Sequence, residues 1–78
     1  SNKRKGSIIM EEKYTKQSID RFLFIKENML NVLKDDNVKT LGQLSNKTRT
    51  DLKNYGFEHY EINKIDIELQ LLGLGLKN

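Results

Sequence analysis

TDLKNYGFEHYEINKI, residues 50 to 65, decides the fold because a glycine between two aromatic residues is followed by apolar residues at helical spacing. The glycine suits a tight turn between two helices, since Gly56 can adopt a positive φ while the rings of Tyr55 and Phe57 pack on the core. The same arrangement is also compatible with a hairpin that binds a nucleic-acid phosphate. The turn leaves both interpretations open, and either one places a helix on each side of Gly56.

A long C-terminal helix is predicted after the turn. Its apolar residues recur at steps of three, four and three, which is typical of a helix with one buried face. These residues are Ile62, Ile65, Leu69 and Leu72. Gly73 supplies a C-terminal stop. We expect Leu74 and Leu76, which follow the stop, to fold back over the helices as a lid on the core.

Two short helices are predicted before the turn by their capping residues. Thr40-Leu41-Gly42-Gln43 has the Thr-x-x-Gln spacing of a capping box and predicts a helix of one to two turns. Thr48-Arg49-Thr50-Asp51 repeats the pattern with Asp51 as the returning acceptor, and predicts a second short helix over 49 to 54. Asp35-Asp36-Asn37 is typical of a turn, because Asn tolerates left-handed backbone conformations.

The N-terminal half predicts a helix with a suggested break. From Thr15 or Ser18 as the N-cap, apolar residues recur at roughly helical intervals and predict a helix over about 16 to 35. The run Phe22-Leu23-Phe24-Ile25 covers more than one helical face, which suggests the break. We therefore expect an all-α, compact domain of four to five helices over 15–78, preceded by a disordered lead-in or linker over 1–14.

The composition excludes several classes of protein. The chain has 78 residues, a formal net charge of +3 and no cysteine, which fits one small domain without disulfides or thiolate metal sites. Lys3, Arg4 and Lys5 carry three of the positive charges, and the remainder balances at 11 basic and 11 acidic residues. No apolar run approaches the ~20 residues of a membrane span, so we expect a soluble, cytoplasmic chain with no membrane partner. Because it begins with Ser rather than Met, we expect it to be a fragment or a trimmed chain.

The sequence offers no assembled catalytic or metal chemistry. His59 is the single histidine and has no cysteine with which to share a metal ion. The acidic residues fall on predicted turns and helix starts, where carboxylates serve as caps. There is no glycine-rich phosphate loop and no nucleotide fingerprint. We therefore expect no enzyme activity, no cofactor, no metal and no small-molecule substrate.

Three blocks of sequence, in order, resemble the C-terminal domain of the bacterial RNA polymerase alpha subunit. They are NVLKDDNVKTLGQLSNKT at 31–48, the Gly56 turn, and IELQLLGLGLKN at 67–78. The resemblance covers about Leu23 to Leu76 and implies a compact helical domain containing a helix-hairpin-helix element. It also implies a non-catalytic, transcription-associated domain that touches the DNA minor groove and docks transcription activators. The implied partners are duplex DNA, bound weakly and mainly through its backbone, and RNA polymerase or a transcription regulator.

The resemblance also assigns candidate DNA contacts. The family's Asn and Lys on its first helix are matched by Asn31 and Lys34, and Asn28 stands where the family has Arg. The family's Gly-Lys-Lys-Ser hairpin falls on Glu58-His59-Tyr60-Glu61, which matches at none of the four positions. The candidate nucleic-acid-binding residues are Asn28, Asn31, Lys34, Gly56 and His59.

A second function is compatible with the same residues. Glu58 and Glu61 are placed to satisfy the start of the last helix themselves, which leaves its dipole complemented without a ligand. The alternative to a DNA-binding domain is therefore a protein–protein interaction module that kept the fold but lost the phosphate-binding hairpin. It would dock a partner through its N-terminal helix or through the face formed by Glu58, His59 and Tyr60.

Two further groups of residues bear on this choice. A basic group could hold a nucleic-acid backbone by charge if its members converge, and otherwise forms an ordinary solvated surface. Its members are Lys34, Lys39, Lys47, Arg49 and Lys53. An aromatic and apolar group, Met10, Phe22 and Phe24, could exceed what so small a domain can bury and would then form a docking surface.

Overall fold

The computed structural model describes residues 13–78, and their backbone is helical apart from turns and two isolated β-bridges. Within this part of the chain residues 13–15 are α-helical, and a 3-10 turn, Ile19–Arg21, then precedes four further α-helices. These are α1 (Glu27–Asp35), α2 (Leu41–Ser45), α3 (Arg49–Tyr55) and α4 (His59–Leu71). The predicted all-α class is confirmed. The lead-in predicted over 1–14 lies outside the described residues except for Lys13 and Tyr14, which are α-helical rather than disordered.

The helix predicted over 16 to 35 is interrupted: residues 16–26 contain no α-helix, and α-helix resumes at Glu27. The Gln17 carbonyl accepts from the Leu41 N–H at 2.8 Å, and the Ile19 N–H donates to the Lys39 carbonyl at 3.0 Å. In a continuous helix the Gln17 carbonyl and the Ile19 N–H would form hydrogen bonds within the helix. Here their bonds to residues 39–41 replace those helical bonds. The Ser18 hydroxyl oxygen accepts from the Asp20 N–H at 3.0 Å and caps the 3-10 turn instead. The suggested break is confirmed, and the first half of the predicted helix is wrong.

Both predicted capping boxes are present. At the start of α2 the Thr40 hydroxyl accepts from the Gln43 N–H at 3.2 Å, and the Gln43 side-chain oxygen accepts from the Thr40 N–H at 3.1 Å. At the start of α3 the Thr48 hydroxyl accepts from the Asp51 N–H, and the Asp51 carboxylate accepts from the Thr48 N–H, each at 3.0 Å. The bonds that Asp51 makes with Thr48, first to its backbone N–H, lower the pKa of the Asp51 carboxyl. The Thr-x-x-acceptor spacing thus fixes where both helices begin.

Three helices in the described part of the chain end in the same way. A residue with a positive φ turns the chain away at the C-terminal end of each helix. These residues are Asn37 (62°) after α1, Gly56 (112°) after α3 and Gly73 (80°) after α4. The next N–H donates to the carbonyl five residues back: Val38 to Leu33, Phe57 to Leu52, and Leu74 to Leu69. This is the Schellman motif, in which the residue after the turn packs back on the helix it has left. The predicted stops at Asn37, Gly56 and Gly73 are confirmed.

The core lies between the inner sides of all these elements. Its buried members are Ile19, Phe22, Ile25, Leu33, Val38, Leu41, Leu44, Leu52, Phe57, Ile62, Ile65 and Leu69. Leu74 and Leu76 are half-buried against this cluster, which confirms the predicted lid. The Leu76 N–H donates to the Asp66 carboxylate at 2.9 Å and the Lys77 N–H to the Lys47 carbonyl at 3.0 Å, so the C-terminal residues are held by backbone bonds as well.

One close approach fixes the N-terminal segment on α2. A Cβ atom added to Gly42 would lie 2.8 Å from the Cβ of Thr15 and 3.0 Å from its carbonyl oxygen. Real side chains do not tolerate such a separation, so this position of α2 requires glycine. The backbone before the 3-10 turn is therefore seated directly on α2.

Candidate functional site

The sequence-predicted DNA contacts lie on two elements of the described chain. Asn28 and Asn31 are exposed on α1, and Lys34 is half-buried one turn further along the same helix. Gly56 and His59 lie in and just after the turn between α3 and α4, and both are exposed. We call these five residues the polar surface.

Met29 brings the two parts of the polar surface together. Its methyl group lies 3.7 Å from the point where a Cβ would stand on Gly56. Met29 is half-buried and packs against the core, so the contact belongs to the folded structure rather than to a mobile side chain. The helix that carries Asn28 and Asn31 therefore packs beside the turn that carries Gly56.

Lys34 is engaged by a neighbouring carboxylate. Its ammonium group donates to the Asp20 carboxylate at 2.8 Å. The bond from Lys34, followed by one from the Ser18 hydroxyl, lowers the pKa of the Asp20 carboxyl. Any anion that approaches Lys34 must compete with Asp20, which weakens the attraction of this lysine for a phosphate.

A shallow groove of about 410 Å³ lies beside the Gly56 turn. It is lined by Lys53, Gly56, Phe57, Glu58, His59 and Ile62. Within residues 13–78, Lys53 forms no ion pair, so its charge is available to a ligand. Glu58 contributes the opposite charge to the same groove. The groove is thus mixed in charge rather than cationic.

Glu61 occupies the beginning of α4. Its carboxylate accepts from the Glu58 backbone N–H at 2.8 Å. In a phosphate-binding hairpin the N–H groups at this position point at the ligand, and the helix dipole favours its negative charge. Here a side chain of the helix itself supplies that charge, as the sequence led us to expect. The N-terminus of α4 therefore attracts a phosphate less strongly than an uncapped helix N-terminus would.

The predicted basic group is divided among separate local contacts. The Arg49 guanidinium donates to Asn63 at 2.7 Å and to the Asp66 carboxylate at 3.2 Å. Lys47 lies 3.9 Å from the Asp36 carboxylate and 5.9 Å from the centre of the Tyr55 ring.

Tyr55 connects this contact to α3. Its hydroxyl donates to Asp36, and its bond with Lys47 is the largest cause that raises the pKa of the Lys47 ammonium. Lys34, Lys47 and Arg49 thus serve intramolecular pairs, and only Lys39 and Lys53 of the group have no ion pair in the described chain.

The outer face of α4 is a feature that the sequence analysis did not identify. Tyr60, Lys64, Ile67 and Leu71 follow one another at steps of four, three and four, which places them along one side of the helix. Tyr60, Ile67 and Leu71 are exposed. The spacing is visible in the sequence, but it runs beside a second helical repeat, Ile62-Ile65-Leu69, which is sufficient by itself to predict a helix with one buried face.

Phe24 and Leu23 extend this outer face beyond the helix. The Lys64 ammonium lies 5.5 Å from the centre of the Phe24 ring, within cation–π range. One groove is lined by Leu23, Phe24, Lys64 and Leu71 together. Of the predicted docking group, Phe24 is exposed as expected, Phe22 is buried and stacks on it at 5.2 Å, and Met10 lies outside the described residues.

Metal-ligand clusters and membrane-spanning helices are both absent from residues 13–78. These residues contain no cluster of three or more His, Cys, Asp or Glu side chains able to hold a metal ion. None of their helices has the length and apolar character needed to cross a bilayer.

No protein-family model matches this chain, and no curated protein is significantly similar to it.

Proposed function

We propose that this chain is a non-catalytic, transcription-associated domain of the cytoplasm that binds duplex DNA weakly, similar to the C-terminal domain of the RNA polymerase alpha subunit. The packing of Met29 against Gly56 carries this proposal, because it places α1 beside the α3–α4 turn. The two elements that hold the family's DNA contacts are thus neighbours here. The α3–Gly56–α4 unit would act as the helix-hairpin-helix element.

The chemistry of the polar surface supports contacts with the DNA backbone. The exposed amides of Asn28 and Asn31 can donate to phosphate oxygens, and Lys53 and His59 lie at the groove beside the turn. Such contacts position a duplex without reading its sequence. The Lys34–Asp20 pair and the Glu61 cap both reduce the attraction for phosphate. We therefore expect weak, salt-sensitive binding with little sequence preference.

Fluorescence anisotropy with a labelled duplex at low and moderate salt tests the proposal. We expect binding that weakens with salt, and a salt slope reduced by about 1 in Lys34→Ala because one phosphate contact is lost. Asp20→Asn is the matched control, since it removes the carboxylate that competes for Lys34 and should strengthen binding. The double change Glu58→Gly with His59→Lys should strengthen it further. Absence of binding by the wild-type chain at low salt would refute DNA binding.

A second candidate function, protein–protein interaction, is favoured by the outer face of α4. Its exposed apolar side chains face away from the core, and exposed clusters of this kind mark interaction sites. Binding of purified RNA polymerase to the immobilised chain tests this function directly. Loss of that binding in Leu71→Glu, with Lys34→Ala unaffected, would assign docking to the outer face.

A further inference from the structure

The outer face of α4 is unusually exposed for its composition. Two of its members are large aliphatic side chains, and the third is an aromatic ring. The exposed fractions are 67% for Tyr60, 54% for Ile67 and 73% for Leu71, with 92% for Leu23 beside them. Single exposed apolar residues need no explanation, whereas several in one row do.

The row is continuous rather than scattered. Phe24 lines one groove with Leu71 and a second groove with Tyr60, so it bridges the two ends of the row. Lys64 lies in both grooves and stands over the Phe24 ring. A ligand that covers Tyr60 and Leu71 would therefore also cover Phe24.

The charges within the row identify what would cover it. Lys64 and Glu68 lie 3.7 Å apart with Ile67 between them in the sequence, and Tyr60 and Leu71 lie towards the two ends of α4. When a helix with this pattern pairs with a copy of itself in the antiparallel sense, apolar ends meet apolar ends and each lysine meets a glutamate. A partner with charges of one sign only would leave either Lys64 or Glu68 opposed by a like charge.

We propose that the outer face of α4 binds a second copy of this chain, with the two α4 helices antiparallel about a two-fold axis. Lys64 then faces Glu68 of the partner subunit, and the reciprocal pair forms on the other side of the axis. Leu71 packs near the start of the facing helix, and Phe24 and Leu23 border the contact.

The contact is expected to be weak. One helical row per subunit falls at the low end of specific interfaces, below ~1,200 Å² in total, which is the range of transient complexes. The inference rests on the second candidate function, protein–protein interaction, and names its partner. It does not depend on DNA binding, because none of the five polar surface residues takes part.

Sedimentation velocity of the full chain over a concentration series from micromolar to millimolar tests the proposal. We expect a concentration-dependent shift from monomer to dimer. Leu71→Glu should weaken dimerisation at least tenfold, because it places a charge in the apolar part of the contact. Asn54→Glu is the matched control, since it adds the same single negative charge at an exposed position before the Gly56 turn and should leave dimerisation unaltered. Circular dichroism checks that each variant is folded.

A charge exchange tests the antiparallel arrangement itself. Lys64→Glu alone and Glu68→Lys alone should each weaken the dimer, because like charges then face each other across the axis. The double variant restores opposite charges and should recover dimerisation. Failure of the double variant to recover would refute the antiparallel pairing.

Two other outcomes would overturn the whole proposal. One is a chain that stays monomeric throughout the series, and the other is a dimer that Leu71→Glu does not weaken. A monomer that still binds RNA polymerase through Leu71 would refute self-association while leaving the protein-interaction function intact. The two failures are therefore distinguishable.

Discussion

The inner and outer faces of α4 carry similar side chains in opposite environments. The inner face consists of Ile62, Ile65 and Leu69, all buried, and the outer face carries Tyr60, Ile67 and Leu71, all exposed. Both sets follow helical spacing, so the spacing alone does not tell which one forms the core. The residues that flank the helix decide it. Phe57 before α4 and Leu74 after it both pack on the core, which directs the intervening inner face towards it.

Replacing one isoleucine on each face should give the largest difference in the free energy of unfolding. Ile65 is fully buried, so Ile65→Ala should lower the free energy of unfolding by about 2–5 kcal/mol through lost burial and the cavity that remains. Ile67→Ala removes the same atoms from a half-exposed position and should change it by less than ~0.5 kcal/mol in the monomer. Urea unfolding of both variants at a low, monomeric concentration measures the two effects. Equal losses of stability would mean that the outer face is buried in the isolated chain.

Gly42→Ala tests how tightly the segment before the 3-10 turn is packed on α2. The added Cβ would meet Thr15 at 2.8 Å, and relieving such an overlap typically costs about 1–3 kcal/mol. Urea unfolding again provides the measurement. A variant as stable as the wild type would show that the segment before the 3-10 turn can move off α2. The outer face of α4, by contrast, should accept larger side chains without any such loss.

Acid should affect the polar contacts and spare the inner face of α4. The folded-state pKa values of Asp20 and Asp51 are lowered by hydrogen bonds, so the stability they contribute is present above about pH 4, the ordinary range of an Asp carboxyl. It is lost as the pH falls through the lowered values. The free energy of unfolding should therefore decrease modestly below about pH 4. Asp51→Asn, which keeps an acceptor but cannot titrate, should flatten this dependence in urea titrations at several pH values. A dependence as steep in Asp51→Asn as in the wild type would assign it to other groups.

The parts of the fold that were predictable rest on short-range chemistry. The Thr40–Gln43 and Thr48–Asp51 caps and the positive φ of Gly56 involve residues within a few positions of one another, so the sequence pattern contains all the partners. The interruption before Glu27 could be suggested but not located. It depends on backbone bonds between Gln17 and Leu41, whose pairing no local pattern encodes.

The candidate site shows the same division. The Glu61 cap was predicted, because it spans only three residues from Glu58. The Lys34–Asp20 ion pair joins residues fourteen positions apart and depends on the 3-10 turn that the helix prediction missed. A predicted DNA contact thus proved to have an intramolecular competitor that sequence reasoning could not supply.

The Schellman ends of α1, α3 and α4 have a consequence for how the chain folds. Each helix closes by a bond between residues only five positions apart, with an apolar side chain delivered to the core at the same moment. Domains in which such near-neighbour contacts predominate have low contact order and reach the native state in microseconds to milliseconds. The slower steps should then be the docking of residues 17–19 on 39–41 and of Lys77 on Lys47, because these backbone bonds join residues far apart in the chain.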